Sequence, residues 1–255
     1  MMEQRWPDRL WIVRHGESAG NVARNAAHAA GLARIDIGGR DVDVPLSPLG
    51  ERQSEALGHW FAAMPEGERP QVVLTSPYLR ARQTALRMHA AGGIPVEPSS
   101  FVADERLREK EFGVLDRLTR HGIAEHHPDQ AEFRRVLGKF YHRPPGGESW
   151  CDVILRLRSA LNTISLHHDG CRVLIVAHQV VVLCLRYLLE DMSEERILAI
   201  DAEGDVANCG VTEYAFDRGR GRHGCLVLRR YNFVAPLEAE GTPVTAEPDA
   251  PVAAR

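Results

Sequence analysis

The chain has 255 residues, of which 44% are apolar and 26% are charged, and its formal net charge is −4. This length and composition are those of a globular protein with one large domain. The slight negative charge excludes proteins that coat nucleic acid or anionic membranes through a general basic excess. Recognition of an anion therefore requires a local cluster of Arg, Lys and His.

The N-terminal residues and the cysteines bear on the cellular location. The apolar run at residues 10–13 is too short for the hydrophobic part of a signal peptide. No run approaches the ~20 apolar residues of a membrane-spanning helix. The five cysteines are spread along the chain without a CxxC pair, which favours free thiols over a disulfide framework or a zinc site. We therefore expect a cytoplasmic protein with no membrane partner.

Strand and helix patterns alternate through the first half of the chain. Short, continuous apolar runs predict strands that are buried on both faces. Ser-Pro pairs predict helix starts, with Ser at the N-cap and Pro at the first helical position. In chain order, the predicted elements are a strand at 10–13, a partly helical excursion at 21–43, a helix at 47–64, a strand at 71–75, a helix at 76–91 and a strand at 94–96.

The second half begins with a charged, weakly periodic stretch at 101–147, which ends in a Pro-Pro-Gly-Gly loop signal. The predicted elements are a helix at 129–140, a helix at 150–168, a strand at 172–177, a helix that ends near 189, and strands at 211–216 and 225–231 joined by a turn at 218–224. Residues 235–255 are rich in Pro, Ala and Glu, which predicts a disordered tail after a single domain of residues 1–234.

This alternation predicts an α/β fold with three layers, α/β/α, in which helices flank a mostly parallel central sheet. Ligands of such sheets bind at the carboxyl ends of the strands. Two of the strongest predicted strands lead directly into basic residues: Arg14 and His15 follow the first strand, and His178 follows the strand at 172–177. These strand ends are the candidate site.

The sequence Arg14-His15-Gly16 has chemistry suited to phosphoryl transfer. Gly16 permits a tight turn that lifts the His15 ring away from the strand end. The Arg14 guanidinium supplies a fork of donors for a phosphoryl group. A nitrogen nucleophile must be a neutral imidazole, and two nearby guanidiniums, Arg14 and Arg80, would hold its pKa down. The alternative is a surface turn with incidental charges.

Arg14-His15-Gly16-Glu17-Ser18 resembles the signature of the histidine phosphatase superfamily, the phosphoglycerate-mutase-like proteins. Further motifs follow in that family's order, from residue 10 to about residue 233. They are Asp43-Val44-Pro45-Leu46-Ser47 with Gly50, the stretch 75–85, Leu107-Arg108-Glu109 with Gly113, Gly147-Glu148-Ser149, and the strand that ends at His178. The resemblance implies the phosphoglycerate-mutase-like fold, a phosphohistidine intermediate, and no metal or cofactor.

The resemblance also implies roles for individual residues. His15 is the implied nucleophile and Glu109 the implied proton donor. The implied phosphate ligands are Arg14, Asn21, Arg80 and His178. Arg82 competes with Arg80, but side chains two residues apart on a helix point roughly 200° apart, and the motif favours Arg80. A solvated charged loop stays the alternative for Glu109, and a core histidine stays the alternative for His178.

Within the family, the chain is similar to the bisphosphatase domain of the bifunctional fructose-2,6-bisphosphate enzyme, because Gln179 follows His178. In that domain, an Arg and a Lys four residues apart hold the phosphate that is not transferred. Arg135 and Lys139 match that pair in type and in distance from the Gly-Glu-Ser element, and residues four apart share a helix face. The resemblance thus implies that Gln179, Arg135 and Lys139 bind substrate. Departures at Trp150, Val182 and Arg120 leave the substrate open.

We therefore expect a phosphatase that acts on a small phosphorylated metabolite, such as a sugar phosphate or bisphosphate, without a nucleic-acid partner. A cofactor-dependent phosphoglycerate mutase is one alternative, although the stretch 21–43 lacks that branch's Gly-Trp element. The other is a non-catalytic phospho-ligand-binding protein, a class that usually loses the nucleophile or the acid. The oligomeric state stays open, a homodimer included, and the Ala-rich residues 22–40 either cap the site or form a contact.

Overall fold

A six-stranded mixed sheet lies at the centre of the molecule. The computed structural model describes residues 6–221 and 223–246. The strands are β1 (Arg9–Arg14), β2 (Val72–Thr75), β3 (Val102–Ala103), β4 (Arg172–Ala177), β5 (Val211–Asp217) and β6 (Cys225–Phe233). Their order is β3-β2-β4-β1-β5-β6. The first four strands in that order are parallel, whereas β5 and β6 are antiparallel additions beside β1. The predicted mostly parallel sheet is confirmed.

Helices cover both faces of this sheet. Within the described residues they are α1 (Ala19–Ala29), α2 (Pro48–Ala62), α3 (Leu79–Ala90), α4 (Arg120–His126), α5 (Pro128–Tyr141), α6 (Trp150–His167), α7 (Gln179–Leu189), α8 (Glu194–Glu203) and α9 (Ala235–Ala239). Ser47 caps α2 as predicted, because its hydroxyl accepts a hydrogen bond from the Gly50 amide at 3.0 Å. The helix predicted to open at Ser76 instead begins at Leu79.

Alternate residues of the central strands enter two separate cores. Leu10 and Ile12 pack with residues of α6 and α7, whereas Trp11 and Val13 pack with residues of α2 and α3. All four side chains are fully buried. Burial on both faces explains the continuous apolar run in this strand. The resulting three layers confirm the predicted α/β/α architecture and fix the strand ends firmly.

Two predicted elements are wrong. Residues 94–96 form no strand; Ile94 packs instead into the core beside α3, so its apolar character reflects burial of a loop. The predicted tail is ordered through residue 246: α9 buries Pro236 and Leu237, and Leu237 joins the core that contains Trp11. Residues 247–255 of that tail, together with 1–5 and 222, lie outside the described residues. Among the described residues, no helix is both long and apolar enough to span a membrane.

Candidate active site

Two histidines meet at the carboxyl ends of neighbouring strands. β1 and β4 are parallel and in register, with Arg14 opposite Ala177, so His15 and His178 leave the sheet side by side. The His15 amide donates to the Ala177 carbonyl at 2.9 Å. The two imidazole rings lie 5.1 Å apart at an angle of 67°. Both histidines therefore lie directly after strand ends, as predicted.

A close backbone approach shapes the loop that carries His15. A Cβ added to Gly16 would lie 2.5 Å from the Gly50 carbonyl oxygen, and one added to Gly50 would lie 1.9 Å from the Glu17 carbonyl oxygen. Glycine is needed at both positions because the loop packs directly on the start of α2. The Gly16 amide also donates to the Thr84 hydroxyl at 3.0 Å. The loop is thus held from α2 and α3 at once.

The two nitrogens of the His15 ring have different environments. Its Nδ1 is 2.7 Å from the Gly16 carbonyl oxygen, which can only accept, so Nδ1 carries the proton. The Arg80 Nε–H donates to His15 Nε2 at 3.2 Å, so Nε2 bears a lone pair. Burial, and then the charges of Arg80 and Arg14, hold the pKa of His15 well below its usual value. His15 is therefore neutral near pH 7.

Arg80 is buried at the start of α3, whereas Arg82 is exposed, so the helix geometry brings only Arg80 to the site. Its two terminal nitrogens contact the Asp41 carboxylate, each at 3.1 Å, and Nη1 also donates to the Asp41 carbonyl at 2.7 Å. A carboxylate thereby occupies the bidentate position that a phosphoryl group would take on this guanidinium. No sequence motif predicted this contact of Asp41.

His178 lies between a serine and the candidate acid. Its Nε2 is 2.7 Å from the Ser76 hydroxyl, and its Nδ1 has no hydrogen-bond partner among the described residues. Glu109 Oε2 is 3.9 Å from that Nδ1. Burial and then the charge of Arg80 lower the pKa of His178 well below its usual value, so this contact is not an ion pair near pH 7. The ring of Tyr78, a residue without a predicted role, packs 5.0 Å from His178.

The Gly-Glu-Ser element holds the segment that carries Glu109. Glu148 accepts hydrogen bonds from Arg108 and Arg156 and from the Glu111 amide, at 2.9 to 3.0 Å. Burial alone would raise the pKa of Glu148, but the hydrogen bonds and charge of Arg156 outweigh it and lower the pKa. Arg156 also donates to the Glu109 carbonyl at 3.2 Å. Glu148 therefore acts on the geometry of the Glu109 loop.

A cavity opens above His15. Its lining residues include His15, Asn21, Arg24, Ile35, Ile37, Asp41, Arg80, Glu109, Phe112, Asp116 and Arg117. Asn21 uses its Oδ1 to accept from the Ser18 amide and hydroxyl, which leaves its amide nitrogen as the group that can face an anion. Arg14 and His178 are buried and do not line this cavity. Residues 22–40, for which the sequence left a choice between capping the site and forming a contact, contribute part of the cavity wall.

A second cavity adjoins the first at Phe112, which lines both. Its charged lining residues are Lys110, Arg134, Lys139 and Asp201. Lys139 donates to Asp201 at 2.7 and 2.5 Å and lies 5.3 Å from the Trp150 ring. Burial lowers the pKa of Arg134 to about 10, against the opposing effect of Asp201. This cavity is more cationic than anionic.

The predicted pair of Arg135 and Lys139 is wrong. Arg135 is exposed on α5, pairs with Glu132 at 2.6 Å, and lines neither cavity. Gly138 has φ 78° and ψ 164°, which breaks the helix between the two positions, so they do not share a helix face. The neighbouring Arg134 takes the place beside Lys139. A sequence pattern that assumes an unbroken helix cannot distinguish these two arginines.

Gln179 connects the second cavity with Arg14. Its Oε1 accepts from Arg14 at 2.9 Å, and its Nε2 donates to Asp205 at 2.6 Å. It also lines the second cavity. These bonds fix the Arg14 guanidinium, so a positioning effect accompanies the predicted contact with substrate. Among the described residues, no group of three or more His, Cys, Asp or Glu side chains could hold a metal ion.

Comparison with curated proteins gives relatives that act on phosphate esters. The chain is 30% identical over 188 residues to a probable fructose-2,6-bisphosphatase of Schizosaccharomyces pombe, a match that covers 74% of this chain and 40% of the relative. It is 31% identical over 190 residues to human 6-phosphofructo-2-kinase/fructose-2,6-bisphosphatase 1, covering 74% of this chain and 34% of the relative. The chain thus spans half or less of the length of these two relatives.

Solved structures share the fold. A mycobacterial glucosyl-3-phosphoglycerate phosphatase in complex with inorganic phosphate aligns with a TM-score of 0.65 and 22% identity, over 90% of this chain and 99% of the other. A putative α-ribazole-5′-P phosphatase of Escherichia coli aligns with a TM-score of 0.69 and 19% identity, over 89% and 97%. The family model of the histidine phosphatase superfamily (branch 1) matches residues 10–227. The chain belongs to the histidine phosphatase superfamily.

Proposed function

We propose that this protein is a metal-independent phosphatase that hydrolyses a phosphomonoester of a small metabolite through a phosphohistidine on His15. The observation that carries the proposal is the His15 ring itself: Nδ1 is tied to the Gly16 carbonyl, Nε2 faces Arg80, and the pKa is lowered. These features make Nε2 the one ring nitrogen available to attack phosphorus. The phosphatase names among its relatives agree with this reaction class.

The first half of the reaction transfers the phosphoryl group to the enzyme. Nε2 of His15 attacks phosphorus, the bond from phosphorus to the ester oxygen breaks, and protonated Glu109 gives its proton to the leaving oxygen. Arg80 and Asn21 line the cavity where the phosphoryl oxygens would lie. Fixed donors there stabilise the charge of the transition state, which is the main requirement of phosphoryl transfer.

The second half returns the enzyme to its starting state. The Glu109 carboxylate takes a proton from water as the water oxygen attacks phosphorus, and the bond from phosphorus to Nε2 breaks. Inorganic phosphate leaves, and Glu109 is protonated again. We assign Arg14 and His178 to support of the phosphoryl group and of a neutral His15, since Arg14 is one of the charges that lower the His15 pKa.

We further propose that the second cavity binds another anionic group of the substrate. Lys110, Arg134 and Lys139 line it against the single carboxylate of Asp201, and the shared wall at Phe112 joins it to the nucleophile's cavity. A sugar bisphosphate or a phosphorylated sugar acid has such a second group. This subsite replaces the one that the sequence assigned to Arg135.

Phosphate release from p-nitrophenyl phosphate tests the activity. The wild-type protein should release phosphate steadily in excess chelator, because guanidinium and imidazole groups supply the positive charge that a metal would otherwise provide. His15→Ala should lose this activity, whereas His167→Ala, at an exposed histidine, should keep it. A requirement for added magnesium or zinc would contradict the proposal. Interconversion of 2- and 3-phosphoglycerate without phosphate release would favour a mutase.

The proposed partner is a small phosphorylated molecule, and the proposed location is the cytoplasm. Neither proposal involves nucleic acid or a membrane, because the net charge is −4 and the chain has no general basic excess.

A further inference from the structure

The chain beyond α9 runs against two residues next to the His15 loop. We call residues 242–246 the C-terminal strap. The Asn208 amide donates to the Thr245 carbonyl at 2.9 Å, and the Thr245 hydroxyl donates to Asn208 Oδ1 at 3.0 Å. Gln53 Nε2 donates to the Pro243 carbonyl and to the Thr245 hydroxyl, each at 2.9 Å. The strap thus contacts α2 and the loop before β5 simultaneously.

Asn208 and Gln53 in turn hold both sides of the nucleophile. Asn208 Nδ2 donates to the His15 carbonyl at 3.0 Å, and Gln53 Oε1 accepts from the Glu17 amide at 2.8 Å. Both side chains are fully buried. The bonded groups flank Gly16, whose carbonyl accepts the proton of His15 Nδ1 at 2.7 Å. The position of that carbonyl sets the ring orientation and directs Nε2 to the cavity.

The hydrogen bonds of the strap match the orientation that the loop requires of each buried amide. A side-chain amide has one accepting and one donating end, and reversing it places like groups opposite each other. The His15 carbonyl can only accept, so Asn208 turns its NH₂ group to it, and the Thr245 hydroxyl donates to Asn208 Oδ1 on the other side. Because Thr245 and Pro243 accept from Gln53 Nε2, Gln53 keeps its carbonyl oxygen for the Glu17 amide. The Thr245 hydroxyl therefore bonds to both of the side-chain amides that hold the loop.

We propose that Thr245 is a positioning residue, which acts through Asn208 and Gln53 to hold the His15 loop in its reactive geometry. The effect on rate rests on the proposed function, whereas the effect on the loop does not. The family model matches residues 10–227, so the strap lies beyond the matched region. The Pro- and Ala-rich composition of this segment predicted a disordered tail instead.

Three variants test the proposal. Thr245→Val removes the hydroxyl and keeps the branched shape, Thr245→Ser keeps the hydroxyl, and Thr242→Val alters a strap residue whose side chain makes none of these bonds. Thr245→Val should lower kcat on p-nitrophenyl phosphate roughly two- to tenfold, the worth of a buried neutral hydrogen bond. Its inhibition constant for inorganic phosphate should stay near the wild-type value, and its Tm should fall by only about 2–4 °C. Thr245→Ser should recover kcat, and Thr242→Val should not change it.

Hydrogen–deuterium exchange reports on the loop without any activity. The Glu17 amide should exchange faster in Thr245→Val than in wild type, Thr245→Ser or Thr242→Val, because Gln53 has lost one of the partners that fix its orientation. Wild-type exchange at Glu17 together with wild-type kcat in Thr245→Val would overturn the inference. If the wild-type protein released no phosphate, the proposed function would fail, yet the exchange comparison would still decide whether the strap holds the loop.

Discussion

The two adjoining cavities are built in different ways. In the first, His15 follows a strand whose register with β4 is fixed over six residue pairs, and Arg80 begins a helix packed on the same sheet. In the second, Lys110 comes from a loop, Arg134 and Lys139 come from either side of the break at Gly138, and Asp201 comes from α8. The wall of the first cavity that carries His15 and Arg80 is therefore set by the sheet and α3, whereas the charged wall of the second depends on irregular connections.

This difference suggests a division of labour. Groups that exchange bonds with phosphorus need positions fixed to a fraction of an ångström, and a buried sheet edge provides them. Groups that hold a distant part of the substrate can come from segments that vary among relatives, because loops tolerate change better than the core. We accordingly expect changes in the first cavity to affect the chemical step and changes in the second to affect substrate choice.

The largest expected effect within this comparison is that of Glu109→Gln. A proton donor to the leaving group contributes typically about 10²–10⁴ in rate, so hydrolysis of an alkyl phosphate should fall within that range. Hydrolysis of p-nitrophenyl phosphate should fall far less, because nitrophenolate leaves without protonation. Steady-state kcat values on the two substrates measure the difference.

Two control variants sharpen this result. Glu105→Gln changes an exposed carboxylate in the same segment and should leave both rates unchanged. Asp116→Asn changes another carboxylate of the first cavity, one whose pKa is raised by burial and by the charge of Asp41. A loss that depends on the leaving group in Asp116→Asn, but not in Glu109→Gln, would make Asp116 the acid.

The second cavity is tested by removing its cations. Arg134→Gln combined with Lys139→Gln should raise KM for a sugar bisphosphate by about tenfold or more, the contribution of one or two charge-assisted hydrogen bonds. Hydrolysis of p-nitrophenyl phosphate should hardly change, because that substrate has no second anion. Arg135→Gln is the matched control and should behave as wild type on both substrates. Equal KM values for all three proteins on every bisphosphate tested would remove the subsite.

A third prediction concerns the protonation of the first cavity. A free imidazole with the usual pKa of 6.5 would be only about one-tenth neutral at pH 5.5, by the titration relation. Burial and two guanidiniums lower the His15 pKa, so its neutral form should persist as the pH falls through 6.5. NMR titration should show His15 and His178 still neutral at pH 5.5. Titration of His15 at or above 6.5 would contradict this electrostatic picture.

The same pKa shifts set the direction of the stability change. Below pH 6.5 the unfolded chain binds protons at these histidines and the folded chain does not, so the free energy of unfolding should decrease as the pH falls from 6.5 toward the lowered folded-state pKa. Chemical denaturation at pH 7 and at pH 5.5 measures this dependence.

The smallest expected effect is that of Asp41→Asn. The Asp41 carboxylate contacts both terminal nitrogens of Arg80, and its side chain is 38% exposed. Replacing it with a neutral side chain should tighten the binding of inorganic phosphate by about two- to fivefold, the worth of a partly exposed ion pair. Inhibition by phosphate measures this effect. Weaker phosphate binding in Asp41→Asn would instead mean that Asp41 orients Arg80 for the ligand.

Sequence patterns predicted the first cavity better than the second for a physical reason. The strand ends place His15 and His178 through burial, and helix spacing together with the family motif selects Arg80 over Arg82. Spacing alone predicted a shared helix face for Arg135 and Lys139, but Gly138 breaks the helix between them, a tertiary feature that spacing does not reveal. The position of Asp41 on Arg80 likewise depends on how a distant loop folds back, which residue types do not specify.

The prediction of disorder from composition was also wrong for the segment that directly follows β6. Pro, Ala and Glu predicted disorder from residue 235, but Leu237 has an apolar core to enter and Thr245 has two buried amides to satisfy. Tertiary partners supply the stabilisation that the segment's own sequence lacks. Residues 94–96 show the opposite error. Their apolar character predicted a strand, but it reflects a loop from which Ile94 packs into the core.

The most direct test of the account is the identification of the phosphorylated residue. The protein is mixed with a phosphate-labelled substrate, quenched within one turnover, and digested for mass spectrometry. We expect label on His15 that is stable in base and labile in acid, and no label on His15→Ala. Label on a serine or cysteine, or hydrolysis by His15→Ala at the wild-type rate, would contradict the central claim that His15 is the nucleophile.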